Sequence, residues 1–405
     1  MAGPLSTPSV YARLARTRGV PRLATAGLAT GLAATSIPVA LLLFAREATG
    51  SLATASLVLA MFTIGGLLTA PLRGRLVDRL GARRALLALA VPSAVTDVAL
   101  IISGSARAAS VVIVLAGLLA GATVPPVGAA LRAAWSALLG DETRQAGFAL
   151  LIALGELSFF GGPLVAGALL AFGSPTLAVT GAAGLSVGGT LLFAGTARPG
   201  DNGTAVEAPA RRAPTGTGLR AVIATAGLFG VTFGTLDVAF VASAQAEGSS
   251  ALAGVLLSAL AVGVGLGSLA YGARPSSSSA VARYPALCAL ACVGLAPLLL
   301  TLPLGFAVFL AALAGLGFAP ITVTQAAAVD ELTATGRKAE AFSWLGTAYG
   351  AGAAAGAAAA GQLADTHHLR ATFGLALVAT ALAAGLAAAQ VRTRPQSNPA
   401  RLTDR

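Results

Sequence analysis

Of 405 residues, 56% are hydrophobic and 10% are charged, whereas soluble domains carry roughly 25% charged residues. A soluble fold of this size cannot hide so much apolar surface, so a lipid bilayer is the solvent the composition calls for. The net charge of +11 is spread as arginines between apolar runs, which excludes a nucleic-acid surface and encodes orientation in a membrane.

The first 22 residues carry Arg13, Arg16, Arg18 and Arg22 ahead of a long apolar run without a cleavage site. That pattern anchors a first span and is not a removable signal peptide. Apolar runs long enough to span then fall at 23–45, 51–72, 85–104, 109–131, 146–171 and 176–197. After a polar stretch come 220–243, 250–272, 284–302, 304–329, 341–363 and 369–391. Each approaches the ~20 residues that a hydrocarbon core requires, and the alternation of a membrane barrel is absent. The expected fold is all-α and integral to the membrane, with twelve transmembrane helices in two pseudo-symmetric six-helix bundles. The expected divisions are 1–197 for the first bundle, 198–219 for a cytoplasmic linker, 220–391 for the second bundle and 392–405 for a basic cytoplasmic tail.

With the N-terminus inside and twelve crossings, 23 of the 26 cationic residues fall on the inner side, and only Arg46, Arg107 and Arg370 lie outside. A wrong span count would scramble that partition. The alanine, glycine and arginine bias, with Lys338 as the only lysine, points to a GC-rich bacterial coding sequence and hence to a bacterial inner membrane. The halves also resemble each other. Ala24-Thr25-Ala26-Gly27-Leu28 recurs as Ala224-Thr225-Ala226-Gly227-Leu228, and Glu47 and Leu52-Ala53 match Glu247 and Leu252-Ala253 at the same offset. Tandem halves of this kind build two bundles around a central site.

After the second span comes Gly74-Arg75-Leu76-Val77-Asp78-Arg79-Leu80-Gly81-Ala82-Arg83-Arg84. It reads as a tight turn whose glycines end one helix and start the next, with Asp78 able to cap a helix start or pair with arginine. The stretch resembles the loop 2–3 motif of the major facilitator superfamily over the motif's full length. That resemblance extends to the twelve-span, two-half layout. It implies a gating loop of Gly74, Asp78, Arg79, Gly81 and Arg83 that latches the two bundles in an outward-open state. The corresponding turn of the second half, Gly272-Ala273-Arg274-Pro275-Ser276, lacks the aspartate.

The fifth span contains Gly162, Pro163 and Gly167 within Gly155–Gly167. Proline and small residues bend a span and admit a close neighbour, so a packing kink is the alternative reading of the segment. It also partly resembles the fifth-span motif of antiporting exporters of the family. In the fourth span, Gly117 stands where drug–proton antiporters of the family usually carry an arginine. That span ends Pro125-Pro126-Val127-Gly128-Ala129-Ala130-Leu131-Arg132-Ala133-Ala134-Trp135, similar to a set of bacterial exporters of the same superfamily.

Three acids fall within spans. Glu156 lies near the midplane, Asp237 nearer the outside and Asp97 in the third span. Charge at mid-bilayer costs on the order of 3 kcal/mol, and a carboxyl without a cation favours its neutral form. Glu156, and after it Asp237, are the candidates to carry protons or contact a cationic substrate group. The alternative for each is a protonated acid hydrogen-bonded between helices, and for Asp97 that alternative leads. Gln325, Trp344 and Tyr349 are weaker cavity candidates, and His367-His368 reads as a solvated pair in an outer loop. Cys288 and Cys292 read as buried small hydrophobes. No metal site and no cofactor is expected. No phosphate-cradling glycine-lysine loop exists, so neither ATP hydrolysis by that route nor any other enzyme activity is expected.

The leading function is a secondary active exporter of a lipophilic small molecule, a drug or secondary metabolite, working by alternating access with protons as the candidate coupling ion. An importer or uniporter of a sugar or other nutrient is the runner-up, and a membrane scaffold or sensor is the alternative from another class. The expected partners are the small-molecule substrate and the lipid bilayer, with a monomer implied by the resemblance.

Overall fold

In lipid every backbone polar group must be satisfied within the segment, so apolar runs of this length fold as helices. The computed structural model describes residues 7–196, 216–246, 251–274, 278–300, 303–334, 336–365 and 369–392. A short amphipathic helix α1 (Thr7–Arg16) precedes α2 (Val20–Thr49), α3 (Leu52–Leu80), α4 (Ala82–Ser105), α5 (Ser110–Thr123), α6 (Val127–Leu138), α7 (Asp141–Phe172) and α8 (Pro175–Ala194). The second half holds α9 (Thr217–Ala246), α10 (Ala251–Gly272), α11 (Ala280–Leu295) with a 3-10 turn at Ala296–Leu300, α12 (Leu304–Leu332), α13 (Lys338–Asp365) and α14 (Leu369–Arg392). Helices α5 and α6 form one crossing, broken at Pro125-Pro126, because proline supplies no N–H to continue the ladder.

Among the described residues, eleven segments are long and apolar enough to cross a membrane. Helix α13, 28 residues long, completes a set of twelve; its glycines and its Ser, Thr, Tyr and Gln residues dilute its hydropathy without shortening it. The two halves repeat the same packing. In the first half α2 packs on α7 and α8, α3 on α5, and α4 on α5 and α8. In the second half α9 packs on α13 and α14, α10 on α12, and α11 on α12 and α14. These pairs correspond one for one, which is the pseudo-symmetry expected from the repeat. Helices α2 and α9, which carry the repeated Ala-Thr-Ala-Gly-Leu segments, open their respective halves. Glu247, residues 197–215, His367-His368 and residues 393–405 lie outside the described residues.

Helices α9 and α13 cross backbone against backbone. A β-carbon added at Gly230, Gly234, Gly352 or Gly356 would strike backbone of the facing helix, so only glycine fits there. Gly352→Ala is expected to destabilise the protein by about 1–3 kcal/mol through overpacking. Gly361→Ala, where an added carbon meets nothing within 4 Å, serves as the neutral control in the same thermal melt.

Three sequence expectations change. The Gly74–Gly81 stretch is not a turn flanked by two glycines, because α3 continues as helix through Leu80. Gly81 alone makes the turn, at φ 78° and ψ 151°, a backbone region that favours glycine. Arg73 is not a loop residue. It is buried on α3 and donates to the carbonyls of Gly66 (2.6 Å) and Val124, and the second of these lies at the proline break where a carbonyl needs a donor. Arg132 likewise belongs to the fourth crossing, which runs to Leu138.

Candidate functional site at the junction of the halves

The start of α2 and the end of α14 define one end of the bundle, here called basal. The Gln390 amide on α14 donates to the Gly218 carbonyl at 2.8 Å, tying the last helix to the start of α9. The halves meet along two corresponding seams, α3 with α13 and α7 with α10. Both seams are clasped by polar contacts at the basal end.

On the first seam Asp78 sits against the start of α13. The Ala339 and Glu340 N–H groups donate to its two carboxylate oxygens at 3.0 and 2.7 Å. These are orphan donors of a helix N-terminus, and a carboxylate there also complements the helix dipole. Arg75 donates to Glu340 at 2.6 Å, and Arg337 reaches the same carboxylate at 3.3 Å. The contact is tight because Gly74 carries no β-carbon, which would collide with Ser343 and the Ala339 carbonyl. Of the resemblance-derived gating residues, Gly74 and Asp78 therefore lie in the seam and Gly81 makes the turn. Arg79 and Arg83 are exposed, and it is Arg75 that pairs across the seam.

A second clasp lies beside it. The Asp330 carboxylate, buried at the end of α12, accepts from Lys338 and Ser136, with Arg144 Nε at 3.5 Å. On the other seam the Gln145 amide donates to the carbonyls of Tyr271 (2.8 Å) and Arg274 (3.0 Å). Gln145 thereby satisfies a last-turn carbonyl of α10 and one just beyond it, at the turn that lacks an aspartate. Arg283 donates to Gln145 Oε1 and to the Tyr271 hydroxyl, and Tyr11 of α1 donates to the Leu269 carbonyl at 2.6 Å. Sequence reasoning missed Glu340, Asp330, Ser136, Arg144 and Gln145. The one local signal was Glu340 in the first turn of a helix behind Arg337.

Above the clasps the seams lead to the middle of the bundle. Glu156 is at the midpoint of α7 and packs toward Gly265 of α10, whose added β-carbon would lie 3.8 Å from the Glu156 side chain. Tyr349 of α13 lies within electrostatic reach of both Glu156 and Asp237, and its ring stands 6.0 Å from that of Phe233 on α9. Tyr349 is 39% exposed, on the side of α13 that meets Phe233 of α9. Glu156 is half-buried and Asp237 exposed, and among the described residues neither is hydrogen-bonded or ion-paired.

The structure therefore brings Glu156, Asp237 and Tyr349 to one neighbourhood. Asp97 is elsewhere. It lines a crevice inside the first half with Phe62, Val124 and Ser186, and it accepts from Ser93 at 3.4 Å. Gln325 is committed to the second-half core, where its amide donates to the Tyr284 hydroxyl at 2.6 Å. Trp344 is half-buried and its Nε1 has no partner. In the fifth-span segment, Gly162 admits Thr35 of α2, whose hydroxyl donates to Ser158 O at 2.6 Å, while Gly167 has nothing within 4 Å. The segment with Pro163 thus packs α7 onto α2 within the first half.

Two corresponding halves, clasped at one end below Glu156 and Asp237, are the construction of a membrane transporter with a central site. The chain belongs to the Major Facilitator Superfamily, whose sequence profile matches residues 23–333. No curated protein matches the chain. Among solved structures it is similar to a bacterial homologue of the iron transporter ferroportin in the outward-facing state, with 14% identity, TM-score 0.77, and 92% of this chain and 99% of that one covered. It is also similar to the human organic anion transporter MFSD10, at 19% identity and TM-score 0.70, covering 92% and 99%. A third similar structure is the transporter FucP in its outward conformation, at 14% identity and TM-score 0.68, covering 93% and 99%. At these identities the likeness is one of fold, and members of the superfamily are transporters, not enzymes.

Proposed function

We propose that this protein is a secondary active exporter that moves a small, largely apolar molecule across a bacterial inner membrane by alternating access, working as a monomer. The observation that carries this reading is the pair of seams clasped below the Glu156–Asp237–Tyr349 neighbourhood. A central site closed on one side is one half of an alternating-access cycle. With the basal end and both termini cytoplasmic, as the arginine partition supports, this conformer faces outward and Asp78 acts as its latch. The proximity of aromatic Phe233 and Tyr349 suits an apolar ligand. The fifth-span resemblance favours export over import.

Glu156 is the proton carrier in this reading, because it stands at mid-membrane without a cation and its exposure changes as the α7–α10 seam opens. The test uses inside-out vesicles with an acid-inside gradient and a panel of lipophilic fluorescent compounds. Uptake should require the gradient in wild type and fall at least about tenfold in Glu156→Gln, the scale on which a lost proton-transfer group is felt. Wild-type rate and pH dependence in that variant end the proposed role of Glu156. Uptake independent of any gradient points to a uniporter instead.

A further inference from the structure

Arg132 lies inside the fourth crossing, on α6. Ala129, one turn before it, packs with Phe148 of α7 and Phe342 of α13. Ser136, one turn after it, bonds Asp330 and Lys338 of the second half. Positions three and four apart share a helix face, so 129, 132 and 136 form one stripe directed at the junction of the halves. The guanidinium therefore stands one turn above the Asp330 clasp, at the floor of the space between them.

Its surroundings are unusual for an arginine. It is half-buried on the face of α6 that carries Ala129 and Ser136, which is the face turned to the junction of the halves. Among the described residues its hydrogen-bond partner is the Gly128 carbonyl on its own helix, at a long 3.4 Å. No carboxylate pairs with it. The neighbouring cations Arg75, Arg144, Arg337 and Lys338 each meet one. A half-buried guanidinium without a counter-charge keeps its donors free for an anion arriving from outside the chain.

We propose that Arg132 binds the carboxylate of an amphiphilic substrate at the floor of the central cavity. The guanidinium fork matches a carboxylate bidentately. The substrate's apolar body then extends toward Phe233 and Tyr349. Arg132 is six residues from the basal end of α6 and Glu156 is fifteen from the basal start of α7. At ~1.5 Å per residue the two levels are about 13 Å apart, which suits a small ring system bearing one acidic group. This refines the substrate class of the transporter reading above and rests on it.

The test is equilibrium binding to the purified full chain with three probes of one ring system: naphthaleneacetate, naphthaleneacetamide and naphthylmethylamine. Wild type should bind the carboxylate at least about tenfold tighter than the amide. Arg132→Gln should erase that preference, and Arg132→Lys should restore part of it. A thermal melt confirms that each variant is folded. Absence of carboxylate binding, equal affinity for carboxylate and amide, or a preference that persists in Arg132→Gln overturns the proposal. Vesicle uptake of the same probes separates the two readings. Selective binding without movement leaves the Arg132 site standing and removes the exporter reading.

Discussion

Asp78→Asn is expected to release the basal end and to cut transport by at least about tenfold. The aspartate accepts from two backbone N–H groups of α13 at a helix N-terminus, where its carboxylate form is favoured by the helix dipole. Hydrogen bonds to charged groups contribute about 1.5–3 kcal/mol each, and a helix cap about 1 kcal/mol. Asparagine keeps one acceptor oxygen but loses the charge, so a net shift of about 2–3 kcal/mol toward the basal-open arrangement follows. That changes the population ratio by roughly 30- to 150-fold. The readout is a single cysteine at Ser343→Cys, buried in the seam against Gly74, in a background where Cys288 and Cys292 are replaced. An impermeant maleimide applied from the basal side should label it much faster in Asp78→Asn than in wild type. Equal rates would mean that Asp78 is a local cap without a gating role.

The second large effect is expected at Asp330. Its carboxylate is 3% exposed and neutralises Lys338 while standing 3.5 Å from Arg144. Removing one partner of a buried ion pair costs about 3–5 kcal/mol, because the remaining charge stays out of water. Asp330→Asn should therefore lower thermal stability by about that amount and loosen the contact of α6 with α13. Lys338→Met added to it should recover much of the loss, since Arg144, at 32% side-chain exposure, can turn to solvent. A double variant as unstable as the single one contradicts this account of the clasp.

The positions of the helices were legible because lipid demands a continuous apolar run for each one, and that demand is written locally. The two-half layout was legible for a related reason, since a repeated fold leaves repeated segments at the starts of α2 and α9. What stayed hidden was whatever depends on partners far along the chain. Arg75 and Glu340 are 265 residues apart, and Ser136 and Asp330 are 194 apart; nothing in either neighbourhood announces the other. Arginine misled in a different way. Charge near the end of an apolar run reads as a boundary, yet Arg73 lies buried because the proline break at Val124 offers it a carbonyl. Arg132 remains in its span because the face it occupies is turned to the junction of the halves, where a long side chain can keep its head solvated. The central acids were legible as isolated oddities. That Glu156 and Asp237 share a neighbourhood with Tyr349 follows only from the packing of α7, α9 and α13.

The central claim is that the two halves part at the basal end and close again around the mid-membrane site. Spin labels at Leu80 of α3 and Ala334, just past α12, report it directly, since both positions are exposed at the basal end on opposite halves. Pulsed electron resonance on the purified protein, diluted with unlabelled chain, should show one short distance in wild type. A longer population should become dominant in Asp78→Asn. One unchanged distance in both proteins would contradict the account, because the clasped seams would then be permanent and not one state of a cycle.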